Sequence, residues 1–198
     1  MELKQQYLMG FSFGGLNLRE SIIVTEQYLQ IKSWPLTRKK VIEDNLFQNR
    51  VSSSTKRALG EIVPRLQQLS ENELDILLNA SEDAQKQILW VAICRRYKFI
   101  ADFMVEVIRD KRQSLIYTLT KEDFSSYWIQ KSINHPEVEK LSDKTREKLR
   151  SVLFIILREA ELINSDGYIN TIILDPLVKE VLEPNELKWF ITFDDGSF

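Results

Sequence analysis

Helix-start signals recur along this chain from end to end, and the apolar run behind nearly every one of them keeps helical spacing. A chain patterned this way must bury one stripe of each helix against its neighbours, so the expected fold is mainly α, a multi-helix bundle. Asn17 stands before a run reaching about Gln30, with Glu20 placed for a capping box. Ser33 precedes Trp34-Pro35 and a helix expected to reach Phe47, since proline is tolerated in a first turn. Ser70 with Glu73, Ser81, Thr120 with Asp123, and Ser142 mark further starts. In the third helix Ala58, Leu59, Ile62, Val63, Leu66 and Leu69 share a face, and Pro64 predicts a kink. The last long helix carries Leu149, Val152, Leu153, Ile156, Leu157, Ala160 and Ile163 at the same spacing. The Ser81 helix is expected to run through EDAQKQILWVAICRRYKFI, and QSLIYTLT reads as a short extended link.

The pattern changes near the C-terminus. Asn164-Ser165-Asp166-Gly167 is a turn, YINTIIL and KWFITF are strand-like, and Asp175-Pro176 opens a short helix, LVKEVL. An isolated strand leaves its backbone groups unpaired, so the two strand-like segments are expected to form a small two-stranded antiparallel sheet. The order fits a helical bundle over 1–114 followed by a C-terminal helical, winged-helix-like unit over 115–198, the two sharing one core. LVKEVL is not a simple wing.

Several chemistries find no support. The single cysteine, Cys94, lies at apolar spacing in ILWVAICRRY and reads as a reduced core thiol. The single histidine, His135, sits in a loop-like INHPEV, so neither a Cys–His pair nor a His/Cys metal set is indicated. GFSFGG lacks the Walker spacing and its Lys-Ser/Thr ending, and reads as a flexible N-terminal arm. Glu122-Asp123 reads as a helix first turn and Asp194-Asp195 as a solvated tail. No apolar stretch reaches membrane-spanning length, and MELKQQYLMGFSFGG has no signal-peptide pattern, so a cytoplasmic protein is expected. No cofactor, no small-molecule substrate and no enzymatic activity are expected.

Charge is where the sequence speaks of function. The net charge is only −2, but its distribution is uneven. From Lys32 to Leu66 eight cations face three acids, and from Glu159 to the end nine acids face two cations. A basic face and an acidic face can therefore coexist on one molecule. The stretch NRVSSSTKRALG opens a helix with hydroxyls and cations where acids are normally favoured. Arg50, Ser52, Ser53, Ser54, Thr55, Lys56 and Arg57, together with free first-turn amides, are the kit for gripping phosphates. One serine as an N-cap with solvated cations around it explains the same residues without a ligand, and both readings stand. Arg38 and Lys39, with Lys40, form a second patch one helix earlier. Arg95 and Lys98, three apart, are expected to share a helix face as a third. Lys144 and Arg146 open the last long helix, which in a winged-helix unit would enter the major groove. These are the candidate DNA-binding residues.

Five segments, FSFGGLNLRES, FQNRVSSSTKRALGEIVPRLQQLS, ILWVAICRRYKFIADFMVEVIRDK, LTKEDFSSYWIQKS and HPEVEKLSDKTREKLRSVLFIILREAELI, resemble the BrxA family, small accessory proteins of bacterial BREX phage-defence systems. The resemblance runs from about Phe11 to Leu174. It implies an all-helical, DNA-binding, non-enzymatic component of antiviral defence and phage resistance in the bacterial cytoplasm, encoded beside a methyltransferase, an ATPase and a phosphatase-like protein. Double-stranded DNA and other BREX subunits are the implied partners. The alternative is a protein-interaction adaptor that assembles defence subunits without touching DNA, docking through acids such as those between Glu71 and Asp83.

Overall fold

Side-chain caps fix five of the helix starts in the computed structural model, which describes residues 6–193. Ser70 and Glu73 close a capping box at α4 (Glu71–Asn79), and Thr120 and Asp123 close one at α8 (Lys121–Ser132). Ser81 caps α5 (Glu82–Arg96), Ser142 caps α10 (Asp143–Glu159), and Asp175 caps α11 (Pro176–Val181) with proline at the first position. Asn17 stands at the head of α1 (Leu18–Ile31) but is left-handed at φ 56° and does not cap. Its amide instead donates to the Gly15 carbonyl. The next helix, α2 (Trp34–Glu43), stops short of Phe47, because Asn45 and Gln48 both turn left-handed. Stacked Tyr28 and Trp34 rings, 3.7 Å apart, fix the corner between α1 and α2.

The core forms around α5. Its stretch from Gln87 to Cys94 is buried on every side, so the helix is apolar all round rather than striped. Helices α3 (Ser52–Leu66), α4, α6 (Lys98–Phe103) and α11 pack on it. Burial pushes the Cys94 thiol well above its ordinary range, with Glu186 and Asp102 adding to the effect. The chain breaks at Tyr97, whose φ of −118° and ψ of 84° are not helical. Then α6 passes through a π-helical stretch, Met104–Arg109, into α7 (Asp110–Gln113).

The glycine-rich N-terminal segment is not a flexible arm. Phe11 and Leu16 are buried, and Tyr7 stacks on His135 at 4.2 Å while its hydroxyl donates to Asp102 at 2.7 Å. Burial, then Asp102, raise the Tyr7 phenol above its usual range. At the other end of the segment the Leu16 amide donates to Glu159 on α10, and a Cβ on Gly15 would overlap that carboxylate. His135 precedes α9 (Pro136–Glu139), where Glu137 accepts the Tyr7 amide at 2.8 Å. Aromatic burial, invisible to a glycine count, turned an apparent arm into a strap.

The expected sheet between YINTIIL and KWFITF does not form. Among the described residues there are only isolated bridges, and Ile172 meets Thr192 in parallel, not antiparallel, fashion. The physical reason is α11: a helical crossover between two extended segments returns the chain in the same direction, whereas a tight turn reverses it. The antiparallel contacts lie earlier, where Ile163 faces Ile169 across the Asn164–Gly167 turn and Thr118 faces Tyr168. Gly167 makes that docking possible. It sits at φ 82°, and a Cβ there would lie 2.5 Å from the Leu119 carbonyl oxygen. Gly167→Ala is therefore expected to cost about 1–3 kcal/mol, combining backbone strain with a clash. A lowered midpoint in chemical denaturation would show it, and an unchanged midpoint would refute it.

Candidate nucleic-acid interface

The α2–α3 hairpin builds the basic tip. Asn45 and Asn49 bond across the connecting loop, with the Asn45 amide donating to the Asn49 carbonyl and the Asn49 N–H to the Asn45 side chain, both at 3.2 Å. Asn49 also donates to Thr55 at 3.0 Å. The residue preceding α3 is Val51, extended and unable to cap, so no serine serves as the N-cap. No acid stands in the first turn. Ser52, Ser53 and Ser54 are exposed at the positive end of the helix dipole; the Ser54 amide turns back to the Val51 carbonyl at 3.0 Å, and no side chain caps the amides of Ser52 and Ser53. Arg50 and Lys56 are exposed and unpaired among the described residues.

Other expected members of the tip are committed elsewhere. Thr55 is buried, its hydroxyl accepting from Asn49, and burial keeps it out of reach of a phosphate. Arg57 lies over the Phe13 ring at 4.7 Å, an exposed cation leaning on the N-terminal strap. Arg38 is half-buried and donates to the Leu59 carbonyl at 3.1 Å, tying α2 to α3. Lys39 is exposed, with only a loose 3.8 Å approach to Glu43, and Lys40 pairs with Asp44 at 2.7 Å. The structure thus brings Arg50, Lys56 and the three serines together at one helix end.

Arg95 does not join a basic face. All five of its donors are used inside the protein: on Glu186, Glu73 and the Gln68 carbonyl, at 2.7 to 3.0 Å. Burial would by itself raise the Glu73 carboxyl; hydrogen bonds from Arg95 and the Ser70 backbone outweigh that and hold it below its ordinary value. Nor do Arg95 and Lys98 share a face, because Tyr97 interrupts the helix between them. Lys98 is exposed at the start of α6 and has its own intramolecular contact.

Sequence reasoning missed two participants. Arg65, one of the eight cations between Lys32 and Leu66, is buried, donates to the Gly15 carbonyl at 2.8 Å and faces Tyr97 at 5.7 Å. Its spacing from Glu61, one helical turn earlier and 3.5 Å away, was a usable signal. Glu186 gave none, since only the fold carries it to Arg95. On α10, Lys144 and Lys148 are exposed, and Arg146 pairs with Asp143 at 3.2 Å. Asp194 and Asp195 lie outside the described residues.

Comparisons with known proteins agree with this architecture. The BrxA family model matches residues 5–186. A protein named BREX protein BrxA from Escherichia coli O9:H4 (strain HS) is 25% identical over 158 residues, which span 80% of this chain and 71% of that one. A second of that name, from Bacillus cereus (strain H3081.97), is 27% identical over 123 residues, 62% of each chain. The fold is shared with the crystal structure of an uncharacterized protein from Magnetospirillum magneticum, at a TM-score of 0.80 and 22% identity, covering 93% of this chain and 96% of that one. Among the described residues no helix is long and apolar enough to cross a membrane.

Proposed function

The chain belongs to the BrxA family of BREX defence proteins, and from that premise we propose that it is a non-enzymatic double-stranded DNA-binding component of its system, with the open end of α3 as the phosphate grip. The observation that carries this reading is the first turn of α3: amides of Ser52 and Ser53 that no side chain caps, three exposed serines, no acid, and Arg50 and Lys56 with no partner among the described residues. A helix end built this way accepts an oxyanion without first breaking an internal ion pair. Lys39 adds charge one helix away, held only loosely by Glu43.

A second contact falls to α10. The elements run helix, extended segment 117–119, α8, the single turn α9, α10, then the hairpin of 163–169, which apart from α9 is the order of a winged-helix unit with its strands reduced to single bridges. Lys144 and Lys148 stand exposed on the early turns of the helix that this arrangement would offer to a groove. The adaptor alternative draws on the acids, and two of them, Glu73 and Glu186, are spent inside the protein on Arg95.

Titration of a duplex at several salt concentrations tests the proposal. With roughly six phosphate contacts the log–log slope is expected near −5. Arg50→Glu with Lys56→Glu should lower its magnitude by about 1.8 and weaken all duplex sequences alike, since phosphates carry no base information. Lys179→Glu, on α11, should leave both quantities unchanged. Equal affinity and slope for wild type and the double variant would exclude the α3 grip.

A further inference from the structure

We propose that the hollow between α5, the 163–169 hairpin and the closing segment at 190–193 is a docking groove for a partner protein, taking a short segment in which an arginine or lysine stands between apolar side chains. This goes beyond the DNA reading, since it uses none of the residues of the α3 tip.

The hollow has a volume of about 520 Å³, a size that holds a few side chains. Tyr168 and Phe193 form two of its walls, 46% and 60% exposed. A second hollow of about 400 Å³ adjoins it, and Ile172, Ile173 and Phe193 line both. Ile173 is 80% exposed on the ridge between them, with Leu187 partly exposed beyond. Large apolar side chains gathered around two adjoining concavities are uncommon on a surface that only water touches.

Charge selects the occupant. Asp83 and Glu161 line the first hollow, with Glu82 beside it and Asp166 on the neighbouring turn. Lys86 lines it too, but its ammonium is held at 2.7 Å by both Glu82 and Glu161. Lys179 lies in the second hollow. Lys86 in turn compensates the Glu82 and Glu161 carboxylates in part, and Asp83 is the lining carboxylate with no ion pair among the described residues. A guanidinium or ammonium entering the first hollow therefore meets aromatic faces and a free carboxylate together, the combination that favours a cation most when it is partly desolvated. Apolar neighbours in the same segment would cover Ile173 and Phe193. A nucleic acid is disfavoured there by the carboxylates.

The test uses the full-length protein and, one at a time, the other purified proteins of the same BREX system, with affinity read by calorimetry at low and physiological salt. One of them is expected to bind. Ile173→Glu should weaken that complex by more than about tenfold, as for a central interface residue. Asp83→Lys should weaken it as well, and the wild-type complex should loosen as salt rises. Both positions are exposed, so circular dichroism should match wild type, and duplex affinity should not fall in either variant. That last readout separates failure here from failure of the DNA proposal. Absence of binding by every subunit would overturn the groove, as would a complex indifferent to both substitutions. Self-association that Ile173→Glu abolishes would also overturn it, by assigning the surface to a second copy of the chain.

Discussion

Arg95→Leu is expected to cost about 3–5 kcal/mol of folding stability, because it strands two carboxylates that the fold has already removed from water. Glu73 and Glu186 are both buried, and each is held by Arg95 at 2.7 Å. The effect should have a diagnostic pH dependence. In the wild type Glu73 titrates below its ordinary value of 4.5, so its contribution is fully present above that pH and is lost as pH falls through the lower folded value. In Arg95→Leu only the Ser70 hydrogen bonds still oppose the effect of burial, so the folded carboxyl rises from its lowered value and the variant should lose less stability than the wild type as pH falls from neutral. Urea denaturation between pH 7 and pH 4 reads both slopes. Parallel slopes for the two proteins would mean that the cluster does not hold Glu73 as described.

Phe99→Ala should be comparably severe, at about 3–5 kcal/mol. Phe99 is fully buried at the start of α6, and its ring meets Tyr7 at 5.4 Å, Phe11 at 6.0 Å, Tyr127 at 5.0 Å and Trp128 at 5.7 Å. Those neighbours come from the N-terminal strap and from α8, so one ring joins the two ends of the core. Truncating it opens a cavity that rigid helix backbones cannot close. Phe13→Ala, where the ring is half-buried under Arg57, should cost clearly less. Equal losses from the two would show that the strap is held by area alone and not by the aromatic cluster.

These two residues also mark where sequence reading succeeds and where it stops. The helix starts at Ser70, Ser81, Thr120, Ser142 and Asp175 were legible because a cap acts within four residues. The exposed tip around Arg50, Ser52 and Lys56 was legible for a related reason: the chemistry of a helix end is written in its own first turn. Arg95 was misread as a DNA contact because its partners lie 22 and 91 residues away. The strap was misread as an arm because its tyrosine and phenylalanines find cover only in helices far along the chain.

What the sequence determined by itself is therefore the helical class, most helix starts and the uneven placement of charge, all properties of short-range geometry and composition. Only the tertiary structure decided which cations remain free. An arginine with acids in reach becomes an internal strut, and one without them stays available to an outside anion. That choice depends on distances between segments that local propensity does not encode. The direction of the C-terminal bridge was settled in the same way, by the crossover through α11, since a parallel or antiparallel meeting depends on the path between two segments and not on their residues.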